Sequence, residues 1–244
     1  MELQQFILQV NNMIKKVLVL GFFLMISAVF YAQKERVENL PTFDERKLHY
    51  GFYLGLNQND FKLNLRNSTI QNADITVAPT AGFNVGLIAD FRLHKNLNLR
   101  LEPGLVSNSK NIYFNHLATK QDSVREIGST YLHVPVIFKF STDRYKNIRP
   151  YLLGGVSYNY NFSSNEANQD DNSSGQFRMK THNFMYEVGM GIDIYLYYFK
   201  FSPSIRGIFA FNNEIKYDND SDSQWTAPIN FMGTRGVFLT FAFE

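Results

Sequence analysis

The chain of 244 residues contains no cysteine. That excludes disulfides, thiolate metal sites, a cysteine nucleophile and the acyl-bearing cysteine of a lipoprotein. Charge of one sign is lacking too. Twenty-four basic and 22 acidic residues leave a net +2, so no basic field addresses nucleic acid. No G-x-S-x-G elbow, P-loop, HExxH or dinucleotide-binding fingerprint is present, and no cofactor is expected. The apolar run near the start, residues 17–31, is short for a spanning helix, which needs roughly 20 residues.

Aromatic residues are plentiful: 23 Phe and 14 Tyr. This is too apolar a composition for a disordered chain, and it suits a protein with lipid-facing surface. Lys15 and Lys16 precede the apolar run, in the order of a secretory signal peptide. Residues 1–32 are therefore read as a cleaved signal peptide, with Met13 as an alternative start and Phe30 an imperfect fit to the cleavage site. An uncleaved inner-membrane anchor is the competing reading. Residues 33–47 then form a polar periplasmic lead-in.

Residues 48–244 alternate polar and apolar side chains in eight segments of strand length. Such alternation puts one face against an apolar phase and the other against a polar one. Connections alternate short, around His94, Asp143 and Tyr197, and long, around Ser68, His116, Asp170 and Asp220. The expectation is an all-β fold: an eight-stranded antiparallel up-and-down transmembrane β-barrel with a sealed polar interior. Phe83, Val85, Leu87, Phe184, Val188 and Ile192 face outward. The inward set carries Asp90, Arg92, Arg100, Glu102, Lys139, Glu187, Asp193, Lys200 and Arg206. Burying these charges in a narrow bore requires pairing them, so a structural network is expected, with a proton or ion pathway as the sharper alternative. Inward glycines are expected to make room for long Arg and Lys side chains. Pro135 and Pro203 lack an N–H within strands and predict bulges there. Residues 107–124 and the polar stretch ending at Pro79 read as loops. A soluble lipocalin-like barrel is the competing architecture.

Candidate chemistry is thin. His116 and His182 lie near the long loops, where a Ser–His or Asp–His set would have to assemble. His133 points inward in a hydrogen-bonding role, and His49 and His94 read as solvated. Asp218, Asp220 and Asp222 have the opening spacing of a calcium loop, but Ser223 and Ile229 stand where its glycine and final glutamate belong. These aspartates, and Asp170 with Asp171, read as solvated loop residues.

Several stretches carry a resemblance. They are Asn39-Leu40-Pro41-Thr42-Phe43-Asp44 running into His49-Tyr50-Gly51-Phe52-Tyr53-Leu54-Gly55-Leu56-Asn57, Leu101-Glu102-Pro103-Gly104-Leu105, Ser129-Thr130-Tyr131-Leu132-His133-Val134-Pro135, Arg149-Pro150-Tyr151-Leu152-Leu153-Gly154-Gly155, Tyr186-Glu187-Val188-Gly189-Met190-Gly191-Ile192-Asp193 and Tyr198-Phe199-Lys200-Phe201-Ser202-Pro203. Together they resemble the PorT family of Bacteroidetes outer-membrane proteins, called SprT in gliding bacteria. The resemblance implies a non-catalytic component of the type IX secretion system, with outer-membrane lipid and other secretion components as partners. No catalytic residues are carried over. The segment Asn39, Leu40, Pro41, Phe43, Asp44 is a candidate periplasmic contact, stiffened by proline and anchored by the phenylalanine; a plug for the barrel's own rim explains it as well. The alternatives are a small OmpX-like barrel with a surface binding or adhesion role, and a barrel enzyme.

Overall fold

The computed structural model describes residues 38–66, 74–117, 119–168 and 177–244. The signal segment, Ser68, Asp170 and Asp171 lie outside the described residues. Residues Asn39–Glu244 form one compact unit.

Ten strands make one antiparallel sheet: β1 Leu48–Leu65, β2 Ile75–Pro79, β3 Ala81–His94, β4 Leu97–Leu101, β5 Gly104–Phe114, β6 Val124–Ser141, β7 Ile148–Asn161, β8 His182–Tyr195, β9 Lys200–Ala210 and β10 Ile229–Phe243. β2 and β3 are two lengths of one stave, as are β4 and β5. β1 pairs with β10 on one side and β3 on the other, so eight staves close into a barrel.

The break between β4 and β5 is a donor problem. Pro103 and Pro135 both lack an N–H. The register on β6 is unbroken across it, with Leu101 opposite Val136 and Gly104 opposite His133. Nor do the prolines make bulges. β6 pairs straight through Pro135 opposite Ser157, and β9 through Pro203 opposite Phe241. The Glu102 carbonyl, which Pro135 cannot serve, lies 3.4 Å from the Tyr53 hydroxyl. A buried side-chain donor stands in for the missing backbone one. The real slip lies at Thr80. β3 pairs with β5 as Phe83 with Ser107, whereas β2 pairs as Pro79 with Lys110, one residue out of step. A one-residue slip turns every side chain to the other face.

That inversion matters because the barrel has two zones. In the lower zone Tyr50, Phe52, Leu54 and Leu56 of β1 face outward and are exposed, as are Phe83, Val85, Leu87 and Phe91 of β3 and Phe184, Tyr186, Val188, Met190 and Ile192 of β8. The span from Phe184 to Ile194 climbs roughly 25 Å at ~3.3 Å per residue and about 40° tilt, the height of an outer-membrane apolar band. Aromatic rings stack at both edges: Phe52 on Phe243 and Phe201 on Phe241 at the turn end, Tyr186 on Phe209 and Tyr158 beside Phe184 at the loop end. In the upper zone the pattern turns inside out. Lys62 and Asn64 face out, while Phe61, Ile112, Phe114, Ile127, Phe177, Met179, Ile215, Ile229 and Met232 form a buried apolar core. β1 and β6, each of 18 residues, rise roughly 45 Å at that tilt and so overshoot the band. Much of what reads as loop in the sequence, residues 59–65, 75–79 and 107–114, is this extension. The interior above the band is consequently largely apolar, with a few buried polar groups such as Lys110 and Glu214 among the apolar side chains.

The two zones make opposite demands on the same face of one strand. Leu54→Arg, in the middle of the outward band, should cost about 2–4 kcal/mol of stability in lipid bilayers. Asn64→Arg, above the band on the same face, should cost close to nothing. Reversible denaturant unfolding in vesicles measures both.

Candidate functional site

Alternation puts long charged side chains into the lower bore, and a barrel of eight staves leaves little room beside them for water. Each is fixed by a strand whose other face meets lipid, so none can turn away. Arg100 Nε lies 3.1 Å from Asp90, its Nη1 3.4 Å from Glu102, and its Nη2 bonds Glu244. Glu102 in turn meets Arg206 at 2.6 Å, and Arg206 meets Glu187 at 3.7 Å. Lys200 reaches Glu244 at 3.0 Å, and Lys139 reaches Asp193 at 2.7 Å, with Ser202 donating to the same carboxylate. All nine of these ionic side chains are buried. Four cations thus meet five carboxylates. His133 closes the difference: Nε2 lies 3.1 Å from Glu187 and Nδ1 2.6 Å from Asn159 Oδ1, so both nitrogens face acceptors, which suits the imidazolium.

Glu244 and His133 belong to this network, although the sequence pattern did not single them out as members. Glu244 is one residue past the last alternating aromatic, where the pattern ends. Arg92 is absent from it. Its guanidinium turns down to the carbonyl of Asp44 at the mouth. The inward glycines mostly admit aromatic rings, not Arg and Lys: a Cβ on Gly104 would fall 2.2 Å from the Tyr53 hydroxyl, and one on Gly191 2.4 Å from the Tyr151 ring. Only Gly189 faces a long cation, Arg206.

The lead-in folds across the turn-end mouth. Phe43 to Glu45 form one 3-10 turn. Phe43 stacks on His49 at 4.3 Å, meets Tyr195 edge-on, and lies under the Lys200 ammonium at 4.8 Å. Asp44 accepts from the Tyr195 hydroxyl at 2.8 Å and from Arg149 at 3.3 Å. Asn39 bonds Asn147 and the Tyr195 carbonyl, and Arg144 holds the Leu40 and Asn39 carbonyls. Four of the five candidate contact residues are thus held by the barrel itself, and Pro41 is exposed. His49 is buried beneath Phe43 and bonds its carbonyl at 2.8 Å, which corrects its reading as solvated.

Above the charges the bore is filled by Val106, Tyr131, Met185, Ile208 and Phe238, then by Asn57 and Asn108 bonded to each other at 3.1 Å. Higher still, Lys110 sits 3.9 Å over the Phe61 ring and reaches Thr234, whose N–H and hydroxyl both donate to Glu214. At the loop end, Asp218 is buried against Arg178 at 3.2 Å and takes the Ser223 and Thr226 hydroxyls. Asp220 holds the Asp222 N–H. Asp218 thus serves the loop's own fold, with its carboxylate turned into the protein. His182 bonds the Tyr158 hydroxyl on the outer wall, and His116 meets the Gln224 carbonyl at 3.3 Å. The two imidazoles share no partner.

The family model described as outer membrane protein beta-barrel domain matches residues 31–216. The chain belongs to this family. It resides in the bacterial outer membrane, where short turns face the periplasm and long connections face outside. The lead-in and the mouth it covers are then periplasmic, and the apolar-cored extension is external. Among solved structures, OprG of Pseudomonas aeruginosa is similar with a TM-score of 0.46 and 12% identity, over 80% of this chain and 94% of that one. Neisserial surface protein A gives 0.43 and 13%, over 79% and 94%. Ail of Yersinia pestis, solved with a heparin analogue, gives 0.38 and 12%, over 81% and 99%. No curated protein sequence matches.

Two outcomes follow from this geometry. Arg206→Met leaves Glu102 and Glu187 short of a buried partner and should cost about 3–5 kcal/mol, whereas Arg235→Met, which breaks an exposed pair with Asp60, should cost under about 1 kcal/mol. Unfolding midpoints in vesicles separate them. In the external cap, burial raises the Glu214 carboxyl above its ordinary value, against the opposing pull of Lys110. A raised carboxyl favours the fold below its unfolded value and loses that contribution as pH rises through the folded one. Protease resistance of the cap should therefore fall from acidic toward neutral pH, and Glu214→Gln should flatten the profile.

Proposed function

We propose that this barrel is a non-catalytic, non-conducting component of the type IX protein secretion machinery, needed for cargo export and, where present, for gliding. The observation that carries a non-conducting role is the filled bore: a strap over the mouth, a paired charge layer and two apolar layers in series. A barrel of this girth has room for its own side chains and little else. Its work is then done at its rims and walls. The choice of machinery comes from the PorT-like residues. The most specific of them, residues 39–57, form the strap and the first strand. A non-catalytic role is supported by the separation of His116 from His182 and by the commitment of Asp218 to its own loop.

A surface-binding or adhesion role is the second reading. It is favoured by the length of β1 and β6, which carry a folded structure above the apolar band. Deletion of the gene in its native host decides between them. Loss of cargo export with normal envelope assembly supports secretion; intact export with lost attachment supports adhesion. Purified protein in planar bilayers should show no steady conductance, even with residues 33–47 removed, because the charge and apolar layers remain. A large open state in the intact protein would overturn the proposal.

A further inference from the structure

Prolines within strands leave neighbouring carbonyls without their donors. Thr142 gives its N–H to the Pro150 carbonyl at 3.0 Å, and Pro150 has none to return. The Thr142 carbonyl accepts from Arg149 Nε at 2.8 Å, much as the Glu102 carbonyl meets the Tyr53 hydroxyl. Two further carbonyls have no side-chain donor among the described residues. Leu87, whose N–H goes to Pro103, lies mid-band, out of reach of any lipid headgroup. Ile192, faced by Pro203, lies two residues from the periplasmic end of the band. Phe211 donates to Phe184 and Leu196 to Phe199 in the same β8–β9 register, so Ile192 and Pro203 stand where the two strands would exchange both bonds. There the ladder opens. It pairs Gly191 with Ser204 and next Ile194 with Phe201, and leaves two positions on each strand unpaired. On the inner side the Ser202 hydroxyl crosses the gap to Asp193 at 2.6 Å. On the lipid side the wall is hollowed out.

A groove of about 600 Å³ lies over this gap, walled by Phe140, Leu152, Met190, Ile205 and Leu239, all outward and exposed. Pro150, Ile192 and Pro203 line it too. So does Gly191, an inward position, which shows that the groove reaches down to the backbone. Within the band such a groove takes an acyl chain. A hydrocarbon tail cannot serve a carbonyl, and a carbonyl left unserved beside hydrocarbon is costly. We propose that the groove binds one lipid of the periplasmic leaflet whose junction between tail and headgroup carries an N–H or O–H, an amide-linked or hydroxylated acyl lipid. Its tail lies along Leu152, Met190 and Ile205, and its donor meets the Ile192 carbonyl. The apolar walls define the tail, the missing N–H of Pro203 defines the donor, and the depth of Ile192 near the band's edge puts that donor at the lipid's polar junction. A diester lipid offers only acceptors at that depth. This inference needs the outer-membrane placement alone and stands apart from the secretion reading.

Native mass spectrometry of the full barrel, released from detergent, tests it. Ceramide phosphoethanolamine, with an amide N–H and a hydroxyl at its junction, competes against a diacyl phosphatidylethanolamine of equal chain length. The ceramide lipid should be retained about tenfold more, the worth of one hydrogen bond made away from water. Pro203→Ala restores the missing N–H on β9 and should abolish the preference while the barrel stays folded. Ile205→Trp fills the groove and should release the ceramide lipid. Equal retention of the two lipids by the unchanged protein would show that water serves the carbonyl and would end the proposal. So would a preference that survives Pro203→Ala, or one untouched by Ile205→Trp, which puts the lipid elsewhere on the wall. Should Pro203→Ala fail to fold, the isotope-labelled Ile192 carbonyl decides by solid-state NMR. Its carbon resonance must move downfield with the ceramide lipid and stay put with the diester; the same resonance with both lipids overturns the site.

Discussion

A strand that crosses a bilayer offers its two faces to two different phases, and it has no third. Every charged residue on the inner face of this barrel is therefore bound to find a partner inside a bore too narrow to hydrate it. Arg100 shows the consequence. It touches three carboxylates contributed by three different staves, Asp90 from β3, Glu102 from its own stave and Glu244 beyond the end of β10. The network thus ties together staves far apart in sequence, including the β1–β10 seam where the barrel closes. Removing one member leaves its neighbours as uncompensated buried charges, which is far more damaging than losing an exposed pair.

Above the bilayer that constraint lapses, and the chain reverses its pattern. On β1 the reversal needs no change of backbone: apolar side chains simply move from the even to the odd positions, from Leu56 to Phe61, while on β10 a register irregularity opposite Asn64 and Leu65 separates Met232 from Ile229, both buried in the core. On the second stave it is made by the slip at Thr80, which turns Ile75 and Val77 inward where Phe83 and Val85 pointed outward. Asn108 donates to the Thr80 carbonyl at 2.7 Å and so secures the slip. One inserted residue thus completes the apolar core of the cap.

The lower zone was legible in the sequence because a two-residue period over eight segments has one interpretation once lipid is outside. The outward rows on β1, β3 and β8 lie where that period puts them. What the period could not show was its own reversal. Residues 59–65 and 107–114 read as loop because their polar side chains, judged by the membrane rule, faced the wrong way. The prolines misled for a related reason. A missing donor predicts a bulge only if nothing else can serve the orphaned carbonyl, and Tyr53, buried on β1 two staves away, serves Glu102. The network's members from strands were recognisable by sign and parity; Glu244 lay past the last alternating pair, and Arg92 was drawn away by the strap.

The strap links these layers to function. Its contacts are numerous but small: one stacked ring pair, one shared carboxylate and a handful of carbonyl bonds, all at the solvent-facing mouth. Asp44 is partly exposed, whereas its partners Arg149 and Tyr195 are buried. The buried network beneath is strong and does not need the strap for its own pairing, apart from the Phe43 ring over Lys200. In the proposed secretion role, exchanging these contacts for a partner's would leave the bore closed, since the layers above remain filled. The periplasmic mouth is then where the proposed secretion role would place a partner contact, at the rim of a wall that stays closed.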